Sequence, residues 1–307
     1  MRAHDRYAVR WSGAGFVAAL VMVMTITLSA PAPAAENVER AESAGSVAAE
    51  NVVLAQELLG LSNVSPALSG WREMLAQSAD YGQYGFDKQK QARLMPTWRR
   101  AVLKSFDIKS AEQKLASLYA ERFKTSELKE LIALRRSPIG ERISRSERLF
   151  HERTIDAKRS LAWMIEAAAR LEQQPERKVL IEAIADLAGG TRALTDALTN
   201  VSVGASVGVE SIKPAGQPRY SPEEILAIVE RQGRQLWQQL DPVVVTQNEM
   251  MYEELSLADL GTLKAFMESG LGRRQIEISL DAFNRLMREE ALAIGVQFAN
   301  AWRSQDL

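Results

Sequence analysis

The sequence predicts an all-α protein, a multi-helix bundle built from two similar helical repeats behind a cleaved signal peptide. Three observations carry this. After Glu36 the chain is rich in Ala, Leu, Glu, Lys, Gln and Arg, with apolar residues at three- and four-residue steps and few alternating stretches. Helix-start signals recur along it. The two halves also match each other at a fixed spacing. With 307 residues and 46% hydrophobic content, the chain has enough apolar material for a real core.

The first element is an address. Arg2, Arg6 and Arg10 precede an uncharged stretch from Trp11 to Ala35, centred on the apolar run Phe16 to Met24. The small residues Ala30-Pro31-Ala32-Pro33-Ala34-Ala35 then offer cleavage sites of the A-x-A kind. Cleavage is expected after Ala34 or Ala35, which makes 1–35 the signal peptide and places the mature chain in the periplasm or outside the cell. An uncleaved anchor is the alternative, because the stretch is long enough to cross a bilayer. No later segment is expected to span a membrane, and a lipid-anchored route would need a cysteine, of which there are none.

Two repeats follow, 36–172 and 173–307. Helix starts are expected at Ser110 with Gln113, at Ser221-Pro222-Glu223-Glu224, at Asp241-Pro242 and at Ser256 with Asp259. Behind Ser137-Pro138-Ile139-Gly140, the residues Ile143, Phe150, Thr154, Ala157, Leu161, Met164, Ala168 and Leu171 predict one long helix. Near the C-terminus Ile276, Leu280, Phe283, Met287, Ala291, Ile294 and Phe298 predict another. At a spacing of 132 residues Glu127 meets Asp259, Leu128 meets Leu260, Leu131 meets Leu263, Ser137 meets Ser269, Gly140 meets Gly272 and Arg142 meets Arg274. Upstream, Val53-Leu54 through Gly60 loosely matches Val179-Leu180 through Gly189, and the junction is expected between Arg170 and Lys178.

The motif from Ser126-Glu127-Leu128 through Arg135-Arg136-Ser137-Pro138-Ile139-Gly140 resembles the bacterial domain-of-unknown-function family 2059. Its hallmark is an acidic helix start, a short helix and a Ser-Pro-x-Gly turn. A degenerate copy runs from Asp259 to Gly272, with Gly270 in place of proline. The resemblance implies an exported helical protein of bacterial envelopes and supplies no established reaction.

The turn itself has a physical reading. Pro138 disfavours helix in the residue before it and suits the first turn of the helix after it, while Ser137 caps that helix. Gly140 allows close approach of the preceding helix, and Arg142 is placed to pair with Glu127 or Glu130. Gly270 and Gly272 permit the same bend without imposing it, so the second corner is expected to be looser. The motif residues are thus Glu127, Ser137, Pro138, Gly140, Arg142, Asp259, Ser269, Gly272 and Arg274, read as a helix–helix corner.

Chemistry-bearing patterns are sparse. The absence of cysteine and the presence of only two histidines, His4 and His151, remove thiol nucleophiles, zinc ribbons and almost every histidine-based catalytic set. Glu223–Glu224, Glu253–Glu254 and Glu289–Glu290 are neighbours in sequence that point apart on a helix. No catalytic residue, metal site or cofactor is expected. Two glycine-bearing segments read as the least helical parts of the core: Tyr81-Gly82-Gln83-Tyr84-Gly85-Phe86, a candidate ligand loop through Tyr81, Tyr84 and Phe86, and its valine-rich counterpart Val201 to Val209.

Net charge is -1, which disfavours bulk polyelectrolyte binding, and the tryptophans are scattered through helical patterns, so no nucleic acid is expected. The charge is uneven, however: 19 basic against 10 acidic residues from Gly85 to Arg159, and 14 against 21 from Leu161 to Leu307. Either a basic face meets anionic envelope material or the acidic part neutralises it internally. The expected role is a non-enzymatic interaction or structural module of the envelope, with an unidentified envelope protein as partner. The alternative is a carrier or sensor of an amphipathic, lipid-like or glycan ligand held between helices.

Overall fold

The computed structural model describes residues 41–77, 88–154, 157–211, 213, 216, 219–237 and 240–304; among these it is helical, with no strand. The segment 1–35 and the loop residues Tyr81, Tyr84 and Phe86 lie outside the described residues. The helices are α1 (Ala41–Leu61), α2 (Val64–Gln77), α3 (Lys88–Ser105), α4 (Ile108–Arg122), α5 (Thr125–Arg135), α6 (Pro138–Thr154) and α7 (Ala157–Gln173). They continue as α8 (Pro175–Leu187), α9 (Gly190–Ser211), α10 (Pro222–Trp237), α11 (Asp241–Met251), α12 (Leu257–Glu268) and α13 (Gly270–Arg303).

Several starts are those the sequence indicates. Ser256 Oγ accepts from the Asp259 N–H at 3.1 Å while the Ser256 N–H donates back to Asp259 at 3.3 Å. Ser221 and Glu224 close the same reciprocal box, at 3.2 and 2.7 Å. At α4 the cap is Asp107, whose carboxylate accepts from the Ser110 N–H at 2.7 Å, so Ser110 sits inside the first turn and not at the cap. Asp241 likewise lies inside α11, where its carboxylate accepts from the Thr191 hydroxyl.

The apolar stripe from Ile143 to Leu171 falls on α6 and α7, and residues 155 and 156 between them lie outside the described residues. Near the end of α6 the Thr154 hydroxyl donates to the Phe150 carbonyl at 2.8 Å. In α13 the residue 132 places on is Leu286, which is 1% exposed, and the helix runs unbroken for 34 residues.

The valine- and glycine-bearing stretch Val201 to Val209 is helix, within α9, and not a loop. Gly204 and Gly208 lie one turn apart against α13. A Cβ on Gly208 would stand 2.4 Å from the Leu292 carbonyl oxygen, and one on Gly295 would stand 2.1 Å from that of Ala205. The glycines serve backbone-to-backbone packing, not chain flexibility.

Two cores result. One gathers α1 to α5 around Trp71, Phe106, Leu115 and Leu128, together with α9 and with α13 from Ile278 onward. The other gathers α6, α7, α8, α11 and α12, with Ile276 of α13. The cores therefore do not follow a division at residue 172: α6 and α7 pack against α11, and α13 packs against α3 and α4.

Candidate functional site

The residues singled out by the sequence are brought together at two corners. Ser137 Oγ accepts from the Gly140 N–H at 3.2 Å, and Ser269 Oγ accepts from the Gly272 N–H at 3.0 Å. A Cβ on Gly140 would lie 2.1 Å from the Leu134 carbonyl oxygen, and one on Gly272 would lie 2.0 Å from that of Phe266. Only glycine lets the long arm pass the short helix before it. Pro138 opens α6, where its missing N–H has no helical partner to lose.

The second corner is not looser. Ser269 alone joins α12 to α13, capping α13 with its hydroxyl and closing α12 through its N–H to the Phe266 carbonyl at 2.9 Å. Serine capping and glycine packing hold the bend without proline.

Charge partners cross between the corners. Arg142 does not pair with Glu127 or Glu130; its guanidinium donates to Asp259 at 2.6 Å. Glu127 instead faces Arg274, with 3.0 Å between Oε1 and Nε, while Arg274 Nη2 donates to the Arg122 carbonyl at 2.6 Å. The Glu127–Arg274 contact is an ion pair, not an aligned hydrogen bond. The arm that leaves each corner crosses to the other half, so each arginine meets the acid at the start of the other short helix. Arg142 holds the Asp259 carboxyl below the usual carboxylate range. The same acids also secure helix starts, Asp259 with Ser256 and Glu127 by accepting from the Lys124 N–H at 2.8 Å.

A second correspondence lies upstream, at the spacing of 126 residues that relates Val53-Leu54 to Val179-Leu180. Asn51 donates to the Ala120 and Phe123 carbonyls, both at 3.3 Å. Arg177 donates to the Tyr252 and Leu255 carbonyls, both at 2.7 Å. Two side chains of unlike chemistry donate to carbonyls at the ends of α4 and α11. Asn63 and Gly189, also 126 apart, are the left-handed residues after α1 and α8, at φ +52° and +89°. A polar side chain opposite the loose ends of a helix is the available signal, but an Asn and an Arg do not align by type.

Around Arg177 lies a deeply buried charge cluster. Glu249 is 0% exposed and is bonded by Arg177 at 2.7 Å and Arg170 at 3.0 Å. Glu253 accepts from Arg170 and from the Trp163 indole, both at 2.8 Å, and from Arg153. This network ties α6 and α7 to α11. His151 stands close by in chain position on α6, 7% exposed, edge-on to Phe150 at 5.6 Å, with Nδ1 lacking a partner. Burial lowers its pKa to about 3. It is a core histidine.

The uneven charge of the sequence is largely consumed by such pairs. Lys114 meets Glu290 at 2.6 Å, Arg122 meets Asp281 at 2.5 Å, and Arg145 meets Glu254 at 3.9 Å. Basic residues of α4 and α6 are thus neutralised by acids of α11 to α13. Among the described residues no three His, Asp or Glu side chains converge as a metal set, and no helix is long and apolar enough to cross a membrane. Fold and site together define an all-α bundle whose motif residues bind one another. No family model, curated protein or solved structure matches the chain.

Proposed function

We propose that the protein is an exported, non-enzymatic interaction or structural module of the bacterial envelope, formed from two diverged copies of one helical unit that have exchanged their long arms. The observation that carries this reading is the crossed pairing of Arg142 with Asp259 and of Glu127 with Arg274. Contacts in which i meets j and j meets i are the signature of a self-complementary two-fold interface. A dimer fused into one chain keeps that signature.

Such an architecture spends its charged residues on holding its halves together. The buried carboxylate Glu249 is engaged by two guanidiniums, and Glu253 by two guanidiniums and an indole. The chemistry left for a partner is on the outer helix faces. Export is supported by the basic, apolar and small-residue order of 1–35, and the resemblance to family 2059 points to the same compartment.

Native mass spectrometry of the protein purified from its own envelope tests this. The expected result is a chain beginning after Ala34 or Ala35, with a partner protein retained. A chain that keeps 1–35 and fractionates with the cytosol would overturn the export reading, and one lipid per chain surviving detergent exchange would replace the interaction module with a carrier.

A further inference from the structure

One helix is basic along its whole sequence. The α3 sequence carries Lys88, Lys90, Arg93, Arg99, Arg100 and Lys104 and no acidic residue. The helix 132 residues on, α10, opens with Glu223 and Glu224 and carries Glu230 against Arg231 and Arg234. The two occupy corresponding places and differ in sign.

The inward side of α3 is fixed by packing on α2 and α13, with Thr97, Ala101 and Val102 buried and Trp98 against Phe298 at 5.5 Å. Its outward side presents Pro96, Arg99, Arg100, Leu103 and Lys104. Arg99 shares its charge with Glu73 at 3.0 Å, while Arg100 and Lys104 have no carboxylate partner among the described residues. Leu103 stands 42% exposed among these cations. Exposed Lys109 follows on α4, just past the Asp107 cap.

We infer that α3 is the docking face of the module and that its partner is the anionic surface of a phospholipid bilayer. Clustered Lys and Arg at a membrane surface are drawn by the negative potential of the lipid headgroups. An apolar side chain set among them reaches the acyl boundary, as on interfacial helices that lie in the plane of the surface. A soluble polyanion would use the cations and gain little from Leu103, so the leucine favours the bilayer. This supplies a partner for the interaction module proposed above and rests on that reading.

The test is co-sedimentation of the chain, as purified from expressing cells, with vesicles of zwitterionic lipid containing none or 30% anionic lipid, about that fraction being enough for a strong surface potential. Binding is expected only to the anionic vesicles and is expected to fall steeply with added salt. Arg100→Gln/Lys104→Gln should weaken it about twenty-five-fold, at roughly fivefold per cation. Arg192→Gln/Arg231→Gln, which removes the same charge from α9 and α10, should leave it unchanged. Leu103→Ser should weaken vesicle binding about threefold without altering retention on polyphosphate.

Equal loss in both double variants would overturn the assignment to α3, and so would binding to polyphosphate with none to vesicles. Neither outcome would touch the envelope-interaction reading, which stands or falls on the protein retained in native mass spectrometry.

Discussion

The two long arms begin alike and then diverge. Behind Ser137 the arm comprises α6 and α7 and packs onto α11 and α8; behind Ser269 it runs unbroken to Arg303 and packs along α9 and α3. Both starts use one serine cap and one glycine pressed against backbone. The difference shows that the corner sets how an arm starts, while residues beyond it decide what the arm packs against. Thr154 gives its hydroxyl to the helix behind it, and Leu286 gives a side chain to the core.

The comparison is broken most severely at Arg177. Arg177→Met should destabilise the protein by about 4 kcal/mol, because it leaves the fully buried Glu249 short of a cation and removes the guanidinium bonds to the carbonyls of Tyr252 and Leu255. Asn51→Ala, at the corresponding place, removes only neutral bonds and should cost about 1–2 kcal/mol. Denaturant melts of the two variants measure the gap. Equal losses would mean that the buried charge adds nothing to the carbonyl bonds.

Glycines come next. Gly140→Ala and Gly272→Ala each force a Cβ into backbone and should each cost about 3 kcal/mol. Gly60, Gly70 and Gly261 are helical, and a Cβ added at any of them would meet nothing within 4 Å, so alanine there should stabilise by about 0.5–1 kcal/mol. If Gly272→Ala proved mild while Gly140→Ala did not, the second corner would be the looser one after all. Thermal midpoints decide the matter.

Much of this is legible in the sequence, for identifiable reasons. Helical class, the reciprocal boxes at Ser221 and Ser256, and the corners at Ser137 and Ser269 are written in local residue order, which short-range hydrogen bonds read directly. The crossing is not. Spacing shows that Arg142 corresponds to Arg274, but choosing Asp259 over Glu127 as its partner requires knowing which core the arm enters. Gly204 and Gly208 read as a loop because glycine permits both flexibility and close packing, and only the facing Gly295 reveals which applies. Asn51 and Arg177 stay hidden because equal function here does not mean equal residue type.

His151 sharpens the comparison through pH. The residue 132 places on is Phe283, fully buried against Trp71 at 5.0 Å, so an imidazole on α6 stands where α13 has a benzyl ring. Burial takes the folded pKa of His151 to about 3, against 6.5 for a free imidazole. The unfolded chain therefore binds the proton more readily. Stability from this group is complete above about pH 6.5 and is lost as the pH falls toward 3, at about 1.4 kcal/mol per unit, or about 2.7 kcal/mol by pH 4.5. His151→Phe should remove that slope, leaving the difference between variant and parent growing with acidity below pH 6.5. A difference that stays constant from pH 7 to 4.5 would mean that the histidine titrates equally in both states.

The smallest effect is the most discriminating. The Arg142–Asp259 and Arg274–Glu127 pairs are part exposed, the arginines at 42% and the acids at 17% and 19%, so each is worth only about 0.5 kcal/mol. A double-mutant cycle isolates that energy from the capping bonds that Asp259 and Glu127 also make, since those are lost equally in the presence and absence of the arginine. Coupling of about 0.5 kcal/mol is expected for Arg142→Ala with Asp259→Ala and for Arg274→Ala with Glu127→Ala. None is expected for Arg142→Ala with Glu127→Ala. The opposite pattern would place each arginine beside the acid of its own half, and arms that stay at home cannot be the product of an exchange between two copies.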